Sequence, residues 1–429
     1  MNLKPSIDYQ KQEQSWSQEK IKLFLKTESI NSQRILLPYG LSTKGEDLSE
    51  EANLIFPDSL AGKTVLDASC SLGFFALEAH KRGATRVLAA DVDDERIRQA
   101  RIIAEISEAP IEYRCLDIET DPINEHFDYV LFLGAIHRIP NPIATLHRLA
   151  DITRERMILE IPGMDDDRVQ RFLWKKYNCD KNVQKILAEL PIAVIGRYET
   201  GRKKYEQKYF FTTESVRTIL LHHRRLFSAL DEIRSPTKGK TILIAKRRQI
   251  DNLTIVSGPT ASGKSTLLDQ LISDRQSSIA ASIGIRPNGQ WLNTNSSELR
   301  EIEAPFIENL LFHYDVLRPW GRDARTYYGD EGLDVTVCCN HLKIVTLLSK
   351  RHTMIKRLQE ELGSLNDQNS QKADRIRDVL GLYHDSTRIK EILSKWTTFC
   401  TARRAKLVFI DATADYKVLD YDKWIKLLD

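Results

Sequence analysis

Two short stretches of this 429-residue chain combine residue types at spacings that could do chemistry. GPTASGKST, Gly258 to Thr266, fits the pattern G-x-x-x-x-G-K-[ST]. Glycines at 258 and 263 let such a loop curl, so that the N–H groups of Thr260, Ala261 and Ser262 point at phosphate oxygens. Lys264 then supplies a charge to the outer phosphates and Ser265 a magnesium ligand, with Thr266 completing the first helical residues. The apolar LTIVSG before it and STLLDQLIS after it read as the strand and helix this loop requires. The expectation is a nucleotide site for ATP with magnesium. The second stretch is VLDASCSLGFFAL, Val65 to Leu77. A strand ending at Asp67, a tight turn and a helix opened by Gly73 would aim backbone N–H groups at a polar ligand. Asp91 ends the next strand candidate, where doubly wound folds keep a carboxylate for ribose hydroxyls. Asp117 is expected to end the third, at the same sheet edge.

The elements that must hold these residues alternate in the manner of parallel α/β sheets. TVLDAS, RVLAADV, IEYRCL, FDYVLFLG and RMILEIP read as strands. GFFALEAHKRGA, ERIRQARIIAEIS and PIATLHRLADI place apolar residues three and four apart, as helices lying on a sheet do. RLFSALDEI and KGKTILIAKRR follow as two closely spaced strands. A second series starts at LTIVSG and continues through NLLFHYDV, LKIVTLLS and KLVFIDAT. This predicts two doubly wound α/β domains, residues 1–248 and 249–429, the second built on a parallel sheet. GSLNDQNSQKAD reads as a mobile loop between helices.

The first half resembles class I S-adenosylmethionine-dependent methyltransferases, from LPYGLSTKGEDL through GKTVLDASCSLGFFALEAHKRGATRVLAADVDDERIRQAR to FDYVLFLGAIHRIPNPIATLHRLADITRERMILEIPG. The resemblance implies a seven-stranded Rossmann-like sheet whose last strand is antiparallel, with S-adenosylmethionine as cofactor. It also implies that Asp67, Ser69, Cys70, Ser71, Gly73 and Phe74 shape the cofactor loop. Asp91 with Val92 would hold the ribose, Asp117 with Ile118 would frame the adenine, and Gly134 would lie beside the methionine part. Ser69 and Ser71 depart from the small glycine-type turn residues common in that family. The second half resembles P-loop kinases of the nucleoside-monophosphate type. There Asp315, at the end of its strand, is suited to hold magnesium or take a hydroxyl proton, and Lys350, Arg351 and Arg357 are candidates to neutralise a transferring phosphoryl group. FIDATADY, with Asp411, resembles the strand and loop beside the adenine. His313 and Arg318 read as packing or substrate contacts.

The acceptor is less legible. His137 and Glu160 lie near strand ends where a general base could sit, and Arg202, Lys203, Lys204 and Lys208 form either a solvated face or a clamp for a phosphorylated acceptor. The leading expectation is a bifunctional methyltransferase and kinase acting on a small-molecule or glycan acceptor, with phosphorylation preceding methylation. An RNA-modifying methyltransferase with an ATP-binding partner domain, or a methyltransferase regulated by nucleotide, remains the alternative. Nucleic acid is not favoured: the net charge of +3 neither demands nor excludes it, and no RNA-binding module is visible. Six cysteines without a C-x-x-C pair argue against zinc or a disulfide framework. With no apolar leader and no run of 18 apolar residues, a cytoplasmic protein is expected.

Overall fold

The computed structural model describes residues 16–28, 30–163, 166–170, 174–175, 178–199, 205–223, 226–294, 302, 304–317, 333–365 and 370–429. The chain divides into two compact units, residues 1–219 with 231–245, and 220–230 with 246–429.

In the first unit, β1 (Thr64–Asp67), β2 (Arg86–Asp91), β3 (Glu112–Cys115), β4 (Phe127–Leu133) and β5 (Thr153–Pro162) run parallel, in the spatial order β3-β2-β1-β4-β5. Their middles are apolar on both faces, because helices cover the sheet on either side. An antiparallel hairpin, β6 (Ala193–Glu199) with β7 (Tyr205–Phe211), stands outside this sheet. Then β8 (Phe227–Arg234) and β9 (Lys240–Arg247) extend the order to β3-β2-β1-β4-β5-β9-β8. Their short connection makes β8 and β9 an antiparallel pair, since a parallel crossover needs about a dozen residues. The sheet thus has the seven strands expected.

The sequence reading is corrected in several places. Asp117 does not end β3, which stops at Cys115; it lies in the turn that follows. The basic stretch, to which the sequence reading assigns no element, forms the strand Tyr205–Phe211 from Tyr205 onward. Arg202, Lys203 and Lys204 lie outside the described residues, as does the side chain of Lys208. Ile21 and Phe24 of the helix Gln18–Thr27, and Ala52 and Ile55 of the helix Ser49–Ile55, join Val65, Val87 and Leu131 in one buried cluster.

The second unit is a six-stranded sheet. β10 (Gln249–Gly258), β11 (Trp291–Thr294), β12 (Phe306–Asp315), β13 (Cys339–Leu348) and β14 (Lys406–Asp411) are parallel in the order β11-β12-β10-β13-β14. β15 (Lys417–Leu419) adds antiparallel to β14, so the sheet is mixed rather than purely parallel. β11 and β15 are short and lack the apolar runs that marked the others. Of the stretch expected to be a loop, Ser370 onward is helix, Ser370–His384. Polar composition there reflects a solvated helix face.

Candidate active sites

Strands β1 to β5 of the first sheet lead residues into a cleft of about 670 Å³. β1 leads into Ser69 and Ser71, β2 ends on Asp91, the turn after β3 brings Asp117 and Ile118, and Gly134 follows β4. Glu160 of β5 lies in register with Leu133, one residue before Gly134. The turn after β1 is fixed by hydrogen bonds. Ser69 Oγ donates to the Leu133 carbonyl at 3.0 Å. The Ser71 N–H donates to Asp91 Oδ2 at 2.9 Å, and the Asp93 N–H donates to Asp91 Oδ1 at 3.1 Å. Each carboxylate oxygen has two acceptor directions, so Asp91 keeps capacity for a ligand hydroxyl.

Ser71 stands at φ +51°, a left-handed conformation that glycine adopts without strain. The departure noted in the sequence is therefore a strained serine in a glycine-like turn. Gly73, at φ +85°, has no such latitude: a Cβ there would sit 2.4 Å from the Tyr113 hydroxyl. Val92 is exposed at the cleft rim. Cys70, Gly73 and Phe74 support the turn from behind and are not among the cleft-lining residues. Asp67 is likewise behind the wall. Burial pushes its carboxyl up to about 7; the Ser69 N–H opposes this and the Asp91 charge adds to it.

Sequence reasoning missed the side of the cleft built by the N-terminal segment. Gln33 Oε1 accepts from the N–H groups of Leu72 and Phe74 at 3.1 and 3.2 Å, capping the helix Phe74–Lys81 from a distance. Ser32 Oγ lies 3.2 Å from Ser71 Oγ and accepts from Arg96 at 3.2 Å. Glu46 and Glu51 face Glu160, and Lys240 sits among them, 3.2 Å from Glu160 Oε2 and 3.9 Å from Glu46. Burial raises the Glu160 carboxyl above the usual range; Lys240 pulls it back, and the Glu51 and Glu46 charges push it further up. These partners are more than a hundred residues from Glu160 on one side and 80 on the other. No local pattern could have linked them. His137 is buried and accepts from Arg138 at 3.3 Å. Arg138, not His137, lines the cleft.

In the second unit, β10 runs into the loop Gly258 to Gly263 and then the helix Lys264–Ser273. Gly258 is at φ +150°, and a Cβ on it would meet the Leu347 carbonyl at 2.4 Å. Ala261 and Gly263 are also left-handed, at +64° and +95°. Lys264 is buried, and its Nζ donates to the Pro259 carbonyl at 2.7 Å and to Asp315 Oδ2 at 3.3 Å. Desolvation lowers the Lys264 pKa, and Asp315 resists that fall. Thr260 Oγ1 donates to the same Asp315 oxygen at 2.9 Å, while Asp315 Oδ1 accepts from the Leu317 N–H at 2.9 Å. Arg357, from the helix Arg351–Gly363, donates to the Ala261 carbonyl at 2.9 Å and to Ser349 Oγ at 3.0 Å. Buried Ser262 offers its carbonyl to Ser349 Oγ at 3.2 Å, and Ser265 and Thr266 lie exposed at the helix start. Lys350 and Arg351 open that second helix. Asp411 caps its own turn, accepting from Thr413. His313 lies on β12, and Arg318 lies outside the described residues. Tyr383, whose hydroxyl donates to the Thr260 carbonyl, was not foreseen.

Residues 65–156, β1 to β5 of the first sheet, match a family model described as a methyltransferase domain. The first unit carries a methyltransferase domain. Among curated relatives, the ubiquinone biosynthesis O-methyltransferase of Neisseria meningitidis serogroup C is 31% identical over 98 residues, 22% of this chain and 41% of that protein. The ribosomal protein L11 methyltransferase of Aquifex aeolicus is 34% identical over 76 residues, 18% of this chain and 30% of that protein. The chain thus spans less than half the length of these two relatives. A crystal structure of the N-terminal domain of EvdMO1 in the presence of SAH and D-fucose aligns with 55% of this chain and 98% of its own, at 16% identity and a TM-score of 0.41. No described helix is long and apolar enough to cross a membrane.

Proposed function

We propose that the first unit transfers a methyl group from S-adenosylmethionine to a small-molecule acceptor. The observation that carries this reading is the convergence onto one cleft of Asp91 at the end of β2, Asp117 in the turn after β3, Gly134 just past β4 and Glu160 of β5. The cofactor fits the residues present: Asp91 accepts from its ribose hydroxyls, and Asp117 and Ile118 edge its adenine. Gly134, at φ +65°, brings bare backbone to within reach of Glu160. When bound, S-adenosylmethionine supplies an electrophilic methyl group. Glu160, made more basic by burial, takes the acceptor's proton at Oε2.

The charge of the cleft bears on the acceptor. Seven lining carboxylates (Glu46, Glu51, Asp91, Asp93, Asp117, Glu119, Glu160) face three cations (Arg96, Arg138, Lys240). A phosphate monoester or a nucleic-acid backbone would meet that excess unfavourably. The cleft therefore disfavours methylation of a previously phosphorylated acceptor.

The second unit, in this reading, is a P-loop kinase-like domain that binds ATP. The strand, left-handed loop and helix support it, as does Lys264 held at the helix start. ATP with magnesium supplies a transferable phosphoryl group. Lys264 and Arg357 neutralise its charge, and the loop N–H groups of Thr260, Ala261 and Ser262 cradle it. Ser265 is the solvent-facing candidate for the metal. Asp315, with both oxygens already accepting hydrogen bonds, acts first as the partner that orients Lys264.

Calorimetry with S-adenosylhomocysteine tests the first site. Asp91→Ala removes the ribose acceptor and is expected to weaken binding by about 1–3 kcal/mol, the scale of a buried polar group left unpaired. Unchanged affinity in that variant overturns the assignment.

A further inference from the structure

The wall of the cleft formed by Glu46, Glu51, Glu160 and Lys240 holds more negative charge than it can pair. Glu51 is 3% exposed, and one oxygen accepts from Ser235 Oγ at 2.8 Å and from Thr237 Oγ1. Its other oxygen, Oε2, is buried and has no hydrogen-bond partner. Leaving a buried carboxylate oxygen unpaired is costly, and burial sharpens the cost. Among the described residues, Lys240 is the one cation placed among the three carboxylates, and it lies toward Glu160 and Glu46. With all three ionised the wall carries two uncompensated negative charges. With Glu160 protonated it still carries one. The other cations of the cleft are turned to different partners, Arg96 to Ser32 and Arg138 to His137.

We propose that this wall is an acceptor subsite for the ammonium group of an amine-bearing small molecule. The inference rests on the methyl-transfer reading for its purpose, but not for its chemistry. A hydroxyl would satisfy the orphaned oxygen of Glu51 and leave the charge excess standing. An ammonium does both, offering three donors and a full positive charge. The amine is an anchor; the atom that is methylated lies toward Gly134 and Glu160.

The test uses the full chain and two matched probe pairs, glucosamine with glucose and ethanolamine with ethylene glycol, at a pH below the amine pKa. Binding is followed by ligand-observed NMR with and without S-adenosylhomocysteine. The amine of at least one pair is expected to bind about tenfold more tightly than its alcohol, the size of one charge-assisted hydrogen bond. Glu51→Gln keeps an oxygen for Ser235 and Thr237, and is expected to erase that preference. Lys240→Met is expected to move the other way and tighten the amine, whereas a purely structural lysine would only weaken the site. Equal binding within both pairs, no binding of any probe, or an undiminished preference in Glu51→Gln overturns the proposal. Failure of S-adenosylhomocysteine to bind, with the amine preference intact, would instead remove the methyl-transfer reading and leave the amine subsite standing.

Discussion

Replacing Asp67 by asparagine should change how the first unit responds to pH. Asp67 is 1% exposed at the end of β1, and its Oδ2 has no hydrogen-bond partner. Burial raises its pKa from 3.8 to about 7. Below 3.8 the carboxyl is protonated in both folded and unfolded chains and costs nothing. Between 3.8 and 7 the unfolded chain releases the proton while the folded chain retains it, so stability falls as pH rises. Above about 7 the penalty is complete. At about 1.4 kcal/mol per pKa unit, the loss amounts to roughly 4 kcal/mol. Asparagine cannot ionise, so Asp67→Asn escapes the loss, and its stability relative to wild type should climb by that amount across the window. Urea unfolding at a series of pH values, read by hydrogen exchange of β1, isolates the effect because the other titrating groups are common to both proteins. Parallel curves for the two proteins between pH 4 and 8 would show that Asp67 is solvated or ionised throughout, and that the buried carboxyl has been misread.

Other outcomes are expected. Gly73→Ala forces a Cβ against the Tyr113 hydroxyl at a left-handed φ and should destabilise the first unit by about 1–3 kcal/mol, measured as the shift in its urea midpoint. Lys264→Ala should abolish ATP binding in a fluorescent-nucleotide titration, while S-adenosylhomocysteine affinity stays the same; a loss of both would link the two sites. Asp315→Asn removes the charge that steadies the Lys264 ammonium, so single-turnover phosphoryl transfer should fall far more than ATP affinity. Wild-type turnover in that variant would make Asp315 a packing residue.

Legibility followed the length scale of the cause. The apolar strands and the Gly258–Thr266 loop are local in sequence, and the structure forms them where the residue pattern indicated. Asp91 and Gly134 were placed by the same logic, because a strand's end is set by its own residues. Asp117 was misplaced by two residues: Leu116 looks like strand, but pairing with β2 ends at Cys115. The acceptor wall was invisible for a different reason. Glu46, Glu51, Glu160 and Lys240 meet only because β9 inserts beside β5 and the N-terminal segment folds over the cleft. The strand Tyr205–Phe211 was hidden by its charges, because Tyr205 to Lys208 interleave polar residues with no apolar run.

One contiguous stretch, residues 32 to 51, supplies Ser32, Gln33, Glu46 and Glu51, whereas the sheet supplies Asp91, Asp117 and Gly134. Of the wall residues, Glu46 and Glu51 therefore come from one short length of chain, whereas Glu160 and Lys240 come from β5 and β9. Such an arrangement is open to cassette exchange: a foreign segment grafted between the helices Gln18–Thr27 and Ser49–Ile55 would replace Ser32, Gln33 and Glu46 while leaving Glu51, on the second helix, and every strand of the sheet in place. Gln33 sets the rule for any such graft. Its side chain satisfies two N–H groups of the turn after β1, so a replacement segment must carry an acceptor at that position or weaken the turn it was meant to leave alone.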